Sequence, residues 1–214
     1  MADYLVDEDI KIIQPEVGFK ASVDSIILAK SISVKENSTI LDVGCGVGSA
    51  SICATKHVTN VKVTGIDIDD KMVKFAIENY KNNGIDCDVI CDSIGNMPLK
   101  GQRFDYVITN PPFYEKDKGM LSVAKLQANH ETIPLSKWIE FCIKRLKPNG
   151  TFSIIHVSDR LCEILAILYN FKSFIGDITV TPISFKNGED PKRINITAKH
   201  SKLGKMKLKN TIFY

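Results

Sequence analysis

Short runs of β-branched and aliphatic residues alternate with longer helical stretches along most of the chain, and this alternation restricts the fold more than any other feature. It is typical of a mostly parallel sheet with helices packed on both faces. The sequence therefore predicts a doubly wound α/β domain. Its predicted strands are Thr39–Val43, Val61–Ile66, Cys87–Cys91, Phe104–Thr109 and Thr151–His156, and its predicted helices are Gly48–His57, Asp70–Asn83, Pro134–Leu146 and Asp159–Asn170.

The two ends of the chain depart from this alternation. Strands are predicted at Asp177–Phe185 and Arg193–Lys199, and the turn-rich link between them is too short for a helical crossover. Two strands joined in this way are antiparallel, so the expected sheet has seven strands and an antiparallel C-terminal hairpin. Near the N-terminus, Lys11–Pro15 is expected to form a short edge strand and Ser22–Ser31 a helix that covers part of the sheet.

The length of 214 residues and an average composition fit one globular domain. We expect residues 1–37 to form an edge-strand and helix extension and residues 38–214 to form the core. Apolar runs are too short to span a bilayer, and the acidic first ten residues do not resemble a signal peptide. Six scattered cysteines are typical of reduced thiols, and together these features predict a cytoplasmic protein.

The net charge of +3 is unevenly distributed along the chain. From Lys192 to Tyr214 there are seven Lys or Arg residues and no Asp or Glu, which leaves 21 cationic and 25 acidic side chains elsewhere. A basic segment on a mildly acidic body is typical of a protein that binds a polyanion. A solvated pair of basic strands would have the same composition, so charge alone does not decide between the two.

A glycine-rich loop joins the first core strand to the first core helix, with glycines at Gly44, Gly46 and Gly48. Glycine lets the backbone turn tightly and approach a ligand, and the helix behind the loop presents its N–H groups. In open α/β sheets, ligands bind beyond the carboxyl ends of the strands. Asp67 follows at the end of the second strand, where a carboxylate accepts hydrogen bonds from both hydroxyls of a ribose. The sequence therefore predicts a nucleotide site.

The spacing of the loop favours S-adenosylmethionine over a dinucleotide. The dinucleotide fingerprint G-x-G-x-x-G requires Gly or Ala where this chain has Ser49. Asp42 precedes the loop and is expected to face the ligand, which suits the cationic sulfonium and amino groups of S-adenosylmethionine better than a pyrophosphate. Asp92 could bind the adenine amino group or cap a turn. Ile68 could pack on the adenine face or in the core.

A second motif, Asn110-Pro111-Pro112-Phe113, ends the fourth strand. The two prolines fix the backbone, so the Asn110 side chain is held at the carboxyl end of the strand, beside the expected cofactor. An amino group on a nucleobase or an amide is a poor nucleophile because its lone pair is delocalised. The Asn110 side-chain oxygen and the Pro111 carbonyl would accept its two N–H groups and direct the lone pair toward an electrophilic methyl group.

Phe113 would stack on a planar substrate, as unpaired bases are held by aromatic side chains. The alternative is that the four residues are simply a proline turn that ends a strand. Their position after the glycine loop and Asp67 favours a functional role. Such chemistry needs no metal, and the cysteine spacings match no zinc site.

Together these motifs resemble those of class I S-adenosylmethionine-dependent methyltransferases that act on amino nitrogens. Gln14–Asp24, followed by Ile26–Ala29, resembles the N-terminal signature of the tRNA1(Val) (adenine-N6)-methyltransferase family, and Lys147–Gly150 and Pro191–Arg193 also fit. The resemblance implies a Rossmann-like methyltransferase fold and a tRNA substrate. It also implies methylation at N6 of adenosine 37, the nucleotide just 3′ of the anticodon. Phe113 departs from the pattern, since a tyrosine is common there.

The resemblance also implies roles for individual residues, including a place for Lys20 and Asp24 near the cofactor or the catalytic pocket. With the motifs above, this completes the predicted site. The predicted catalytic residues are Asn110, Pro111, Pro112 and Phe113, and the predicted cofactor-binding residues are Lys20, Asp24, Asp42, Gly44, Gly46, Gly48, Asp67, Ile68, Asp92 and Asn110.

The nearest alternative keeps the chemistry and changes the substrate to an rRNA guanine N2 or a protein glutamine N5. Glutamine methyltransferases of this type usually carry a separate N-terminal helical domain, and only about 35 residues precede the first core strand here, which favours RNA. A nicotinamide-dependent oxidoreductase is disfavoured by Ser49. A catalytically silent RNA-binding protein would have no need of Asp67 and Asn110. The sequence gives no oligomeric state.

Overall fold

A nine-stranded sheet forms the centre of the protein. The computed structural model describes residues 2–7, 10–15, 23–115, 130–131, 133–201 and 204–214. The described strands are β1 (Ala2–Asp7), β2 (Ile10–Gln14), β3 (Thr39–Val43), β4 (Lys62–Asp67), β5 (Asp86–Cys91), β6 (Phe104–Thr109), β7 (Tyr114–Glu115), β8 (His130–Glu131), β9 (Leu146–Val157), β10 (Ile175–Ser184), β11 (Arg193–His200), β12 (Lys207–Leu208) and β13 (Ile212–Phe213). The described α-helices are α1 (Val23–Lys30), α2 (Ser49–Thr55), α3 (Asp70–Asn82), α4 (Leu135–Lys144) and α5 (Leu161–Tyr169).

The long strands of the sheet follow the order β10-β11-β9-β6-β3-β4-β5. The strands from β9 to β5 in this order are parallel, whereas β11 is antiparallel to both β9 and β10. The predicted doubly wound sheet and its antiparallel hairpin are therefore confirmed. The sequence did not predict β12 and β13, which pair in parallel with β10 and extend that edge.

Side chains alternate between the two faces of the sheet and so contribute to two cores. On β3, Leu41 and Val43 belong to the core that α4 and α5 cover, whereas Ile40 belongs to the core that α1, α2 and α3 cover. Tyr80 is fully buried in the second core. No helix in the part of the chain that the structure describes is long and apolar enough to cross a membrane.

The N-terminal strand has a different partner from the one expected. Lys11–Pro15 was predicted to lie at an edge of the main sheet, but β2 pairs with β1 in a separate antiparallel two-stranded sheet. Asn79 of α3 fixes this hairpin, because its side chain accepts a hydrogen bond from Ile13 N (2.7 Å) and donates one to Ile13 O (2.8 Å). The hairpin therefore packs on a helix rather than extending the large sheet.

Residues Lys147–Gly150 form a bulge within β9. Phe104 of β6 pairs with Leu146, whereas Tyr106, two residues further on, pairs with Thr151. Asn149 has a φ of +64°, which asparagine tolerates better than most residues. The helix that the sequence extended to Leu146 ends at Lys144 instead, and the chain enters the strand directly.

Candidate active site at the carboxyl edge of the sheet

The glycine loop and the Asn110–Phe113 segment lie at the same edge of the sheet. Val43, the last residue of β3, pairs with Ile66 of β4 and with Thr109 of β6. The Thr109 hydroxyl also donates a hydrogen bond to the Val43 carbonyl (2.8 Å). The residues that follow these paired positions therefore lie close to one another, and they are Gly44, Asp67 and Asn110.

The glycine loop has a conformation that requires glycine. Gly44, Gly46 and Gly48 have φ values of +70°, +54° and +83°. A Cβ atom on Gly44 would lie 3.0 Å from the Trp138 ring, and one on Gly48 would lie 2.9 Å from the Tyr80 ring. Packing and backbone conformation therefore both exclude larger residues at these two positions.

Asp67 binds the glycine loop across the edge of the sheet. Its Oδ2 accepts a hydrogen bond from Gly46 N (2.8 Å), and its Oδ1 accepts one from Asp69 N (3.0 Å). Burial raises the pKa of this carboxyl group. The adjacent Ile68 is 65% exposed, so it does not pack in the core.

Asp92 caps the turn that follows β5. Its Oδ1 accepts hydrogen bonds from Ser93 N and from Asn96 Nδ2, both at 2.7 Å. Its own backbone N–H donates to the Asp67 carbonyl (3.0 Å), which places it at the same edge as Asp67. Of the two roles that the sequence allows for Asp92, the structure shows the turn cap.

Asp42 does not face outward as expected. It is 2% exposed, and its Oδ2 accepts a hydrogen bond from the Ser51 hydroxyl (2.6 Å) in α2, which also lies 2.7 Å from the Tyr80 hydroxyl. The strand period explains the difference, because Asp42 shares the face of β3 with Ile40, and α2 covers that face. Burial raises the pKa of Asp42 to about 6. The described contacts connect Asp42 of β3 to Ser51 near the start of α2.

The Asn110 side chain lies at the end of β6 with its oxygen buried. Among the described residues, the Oδ1 atom has no hydrogen-bond partner. Pro111 is buried, and Pro112 and Phe113 are half-buried. Most buried polar atoms are paired, so an unpaired acceptor at a ligand-binding edge points to a ligand that donates a hydrogen bond.

His156 of β9 lies against this segment. Its ring is edge-on to Phe113, with 5.1 Å between ring centroids, and the backbone of Pro112 approaches it. Burial, together with the cationic Arg160 and Arg193, lowers the pKa of His156 to about 3. Its Nδ1 accepts a hydrogen bond from Val157 N (2.9 Å), so the neutral ring carries its proton on Nε2.

Asp24 lies near Phe113, and Arg193 connects the two. Asp24 Oδ2 is 3.2 Å from Arg193 Nε, and the Arg193 guanidinium lies 4.6 Å from the centroid of the Phe113 ring. Lys20, the other residue that the resemblance placed here, lies outside the described residues. In the sequence, Arg193 and His156 stand only at the ends of predicted segments, and the sequence predicts no site role for either residue.

Trp138 of α4 is half-buried, and its ring packs against the core that α4 and α5 cover and lies next to Gly44. Its Nε1 donates a hydrogen bond to the Thr109 hydroxyl (2.8 Å). It therefore links α4 to the edge where β3 and β6 end. In the ranges that the structure describes, no group of three or more His, Cys, Asp or Glu side chains could hold a metal ion.

Comparison with known proteins identifies the class. A family model described as a methyltransferase domain matches residues 34–193, and the chain belongs to this family. Its fold is that of class I S-adenosylmethionine-dependent methyltransferases. A protein of Agrobacterium tumefaciens described as a predicted O-methyltransferase has the same fold, with a TM-score of 0.64 and 21% identity over 89% of this chain and 85% of that chain.

Two curated relatives with named substrates are similar to this chain in sequence. The tRNA1(Val) (adenine(37)-N6)-methyltransferase of Shewanella sediminis is 29% identical over 86% of this chain and 77% of its own length. Relatives of this name are matched over 62% to 79% of their lengths. The release factor glutamine methyltransferase of Fusobacterium nucleatum is 37% identical, but over 39% of this chain and 24% of its own length.

The residues at the carboxyl edge fit S-adenosylmethionine, the methyl donor of this class. Asp67 carries two carboxylate oxygens at the end of β4, next to the exposed Ile68. Beside them, the glycine loop brings its backbone to the same edge. The unpaired Asn110 oxygen lies at the end of β6, the strand that pairs with β3.

Proposed function

We propose that this protein transfers a methyl group from S-adenosylmethionine to the N6 amino group of adenosine 37 in a tRNA. The observation that carries the proposal is the Asn110 Oδ1 atom, which is buried and has no partner among the described residues. A buried acceptor without a partner costs about 1–3 kcal/mol. An N–H of a substrate amino group would satisfy it, at the edge that Asn110 shares with the glycine loop.

On the cofactor side of the proposed site, each residue has a different role. S-Adenosylmethionine supplies an electrophilic methyl group when it is bound. Asp67 would accept the ribose hydroxyls beside the Gly46 N–H that it binds here, and Ile68 would pack on the adenine. Gly44, Gly46 and Gly48 bring the backbone close to the ligand. Asp42 holds the start of α2 under this loop through Ser51.

The substrate side orients the amino group. Asn110 Oδ1 and the Pro111 carbonyl accept its two N–H groups, while Phe113 stacks on the base. With both hydrogens held, the nitrogen lone pair is directed at the methyl carbon. The nitrogen would form a bond to that carbon as the carbon–sulfur bond of S-adenosylmethionine breaks, so that S-adenosylhomocysteine leaves and the nitrogen releases one proton to water. Pro111 and Pro112 keep the backbone of this segment rigid.

We assign the tRNA to the side of the sheet that carries the basic C-terminal segment. Lys199 and Lys207 on this side both pair with Asp177, so part of the positive charge is neutralised within the protein. The names of the relatives support a tRNA substrate and, with it, a place in the cytoplasm. Phosphate contacts release counterions, so RNA affinity is expected to fall steeply with salt.

The test is methylation of an unmodified tRNA1(Val) transcript with labelled cofactor, followed by mass spectrometry of the nucleosides. We expect N6-methyladenosine at position 37, none in a transcript with guanosine at that position, and a rate of formation lower by about 10²–10³-fold with Asn110→Ala. A product in which the label is on a guanine N2 would refute the adenine assignment.

A glutamine amide is the second candidate, and the Fusobacterium relative is the observation in its favour. An amide nitrogen also carries two hydrogens and a delocalised lone pair, so the same acceptors would suit it. Incubation with a peptide release factor and labelled cofactor separates the two. Label in glutamine, with none in tRNA, would replace the adenine proposal.

A further inference from the structure

Four side chains from distant parts of the chain meet at the end of the Asn110–Phe113 segment, and we call them the Phe113 cluster. They are Asp24 of α1, Phe113 itself, His156 of β9 and Arg193 of β11. The proposed function gives a role to Phe113 alone. The contacts of the other three side chains indicate what they do.

The Phe113 ring is held by two different contacts. The Arg193 guanidinium carbon lies 4.6 Å from the ring centroid, within the roughly 6 Å over which a cation is attracted to an aromatic face. His156 meets the same ring edge-on, at 5.1 Å and an interplanar angle of 64°. An edge-to-face pair of this kind contributes about 0.5–1.5 kcal/mol beyond burial. Together the two contacts favour one orientation of the ring.

Arg193 is itself held in place at two points. Its Nε donates to Asp24 Oδ2 at 3.2 Å, and its Nη1 donates to the Lys192 carbonyl, also at 3.2 Å. Asp24 is 6% exposed, although its other oxygen has no partner among the described residues. Buried ion pairs add little net stability compared with apolar replacements. What this pair supplies is a fixed direction for a long, flexible side chain.

We propose that Asp24 and Arg193 are positioning residues that hold the ring of Phe113 in the orientation that stacks on the target base. The proposal rests on the proposed function, in which Phe113 is the stacking residue. A planar guanidinium can lie flat on the ring, whereas a lysine ammonium is a compact charge without that geometry. Small displacements of a positioned substrate have large effects on the rate of transfer.

The test compares tRNA methylation by four variants at saturating cofactor. We expect Arg193→Met to lower kcat/KM by about tenfold and Asp24→Asn by about fivefold, because the ring loses its fixed orientation. Arg193→Lys should recover only part of the activity. Lys192→Met is the matched control, because this neighbouring cation is 64% exposed, pairs with Glu189 and is expected to matter less than twofold. Cofactor affinity should stay within twofold in the Arg193 and Lys192 variants.

A double-mutant cycle shows whether Arg193 acts through Phe113. In a Phe113→Leu background, we expect Arg193→Met to lower kcat/KM by less than twofold further. A full tenfold loss in that background would overturn the positioning role, as would equal losses for Arg193→Met and Lys192→Met. If Arg193→Met fails to fold, Arg193→Lys and Asp24→Asn are carried through the same cycle with the same criteria.

The wild-type arm of this experiment separates the two proposals. If the wild-type protein forms N6-methyladenosine but the effects of Arg193→Met and Phe113→Leu on kcat/KM simply add, the positioning role alone is overturned. Wild type that forms none on tRNA overturns the proposed function, and the positioning role with it.

Discussion

The two halves of the active-site edge differ in how their polar atoms are satisfied. On the cofactor half, Asp67 uses both oxygens to bind backbone N–H groups, and Asp42 binds Ser51. On the substrate half, atoms of Asn110, His156 and Asp24 are buried without a partner in the described part of the chain. The cofactor half is therefore satisfied by internal bonds, and the carboxylate of Asp67 keeps lone-pair positions at which a ligand hydroxyl can add. On the substrate half, the unpaired Asn110 Oδ1 is the atom that the proposed substrate would satisfy.

The largest expected effect comes from the substrate half. Asn110→Ala should lower kcat by about 10²–10³-fold, because the acceptor that orients the amine is lost, while cofactor affinity stays within twofold. Single-turnover methylation and calorimetric titration of the cofactor measure the two quantities. Asn170→Ala, at an exposed helix end, is the control and should leave both unchanged. Equal losses of rate and cofactor affinity would remove the distinction between the halves.

Two buried groups, Asp42 in the cofactor half and His156 in the substrate half, are expected to respond to pH in opposite directions. Burial raises the pKa of Asp42 from 3.8 to about 6, so its contribution to stability is full below about pH 4 and is lost as the pH rises to 6. Burial and nearby cations lower the pKa of His156 from 6.5 to about 3. Its contribution is full above about pH 6.5 and is lost as the pH falls toward 3.

Between pH 4 and 6, Asp42 lowers the free energy of unfolding as the pH rises, whereas His156 raises it. Each contribution changes by up to about 1.4 kcal/mol per pH unit. Relative to wild type, the free energy of unfolding of Asp42→Asn should therefore rise by about 2–3 kcal/mol across this window. That of His156→Asn should fall over the same window. Urea titrations at pH 4, 5 and 6 measure both, and curves parallel to wild type would show that the two groups do not titrate in this way.

A smaller effect is expected on the cofactor half. Asp67→Asn should weaken S-adenosylmethionine binding by about 10–30-fold, because charged acceptors form the stronger hydrogen bonds, while kcat at saturation changes less than threefold. Asp70→Asn removes the same charge from an exposed pair with Lys74 and serves as the control. Undiminished affinity in Asp67→Asn, measured by calorimetry, would place the cofactor elsewhere.

The smallest effect is expected for Phe113→Tyr, which restores the residue common in the family that the sequence resembles. Because tyrosine keeps the aromatic face toward Arg193 and the base, kcat/KM on tRNA should change less than threefold. Steady-state kinetics on wild type and variant measure this. A loss as large as that of Phe113→Leu would mean that ring stacking is not what this position supplies.

Much of the fold could be predicted because its signals are local. Thr39–Val43 and Phe104–Thr109 form strands with the predicted bounds, since each is a compact apolar run ended by a glycine or a proline motif. The tight loop could also be predicted from its glycines, because glycine is the residue that most easily adopts the positive φ values found there. Because β3 and β6 are neighbouring parallel strands, the glycine loop and the Asn110–Phe113 segment that follow them lie at the same edge. No local signal shows this proximity, but the doubly wound pattern predicts it.

What could not be predicted depends on contacts between distant residues. Asp24 and Arg193 lie 169 positions apart, and no spacing rule connects them. The residues Lys11–Pro15 predict a strand but not its pairing partner. The hydrogen bonds of Asn79 to the Ile13 backbone hold this strand on α3. For Asp42, chemical type suggested a ligand contact, whereas the face of β3 on which it lies directs it to Ser51.

The most direct test of the central claim is the distance between Asn110 Oδ1 and N6 of the base in a crystal structure with S-adenosylhomocysteine and adenosine monophosphate. The account predicts a hydrogen bond of about 2.8–3.2 Å there, with the ribose of S-adenosylhomocysteine on Asp67. A base bound away from residue 110, or a cofactor bound away from the glycine loop, would contradict it.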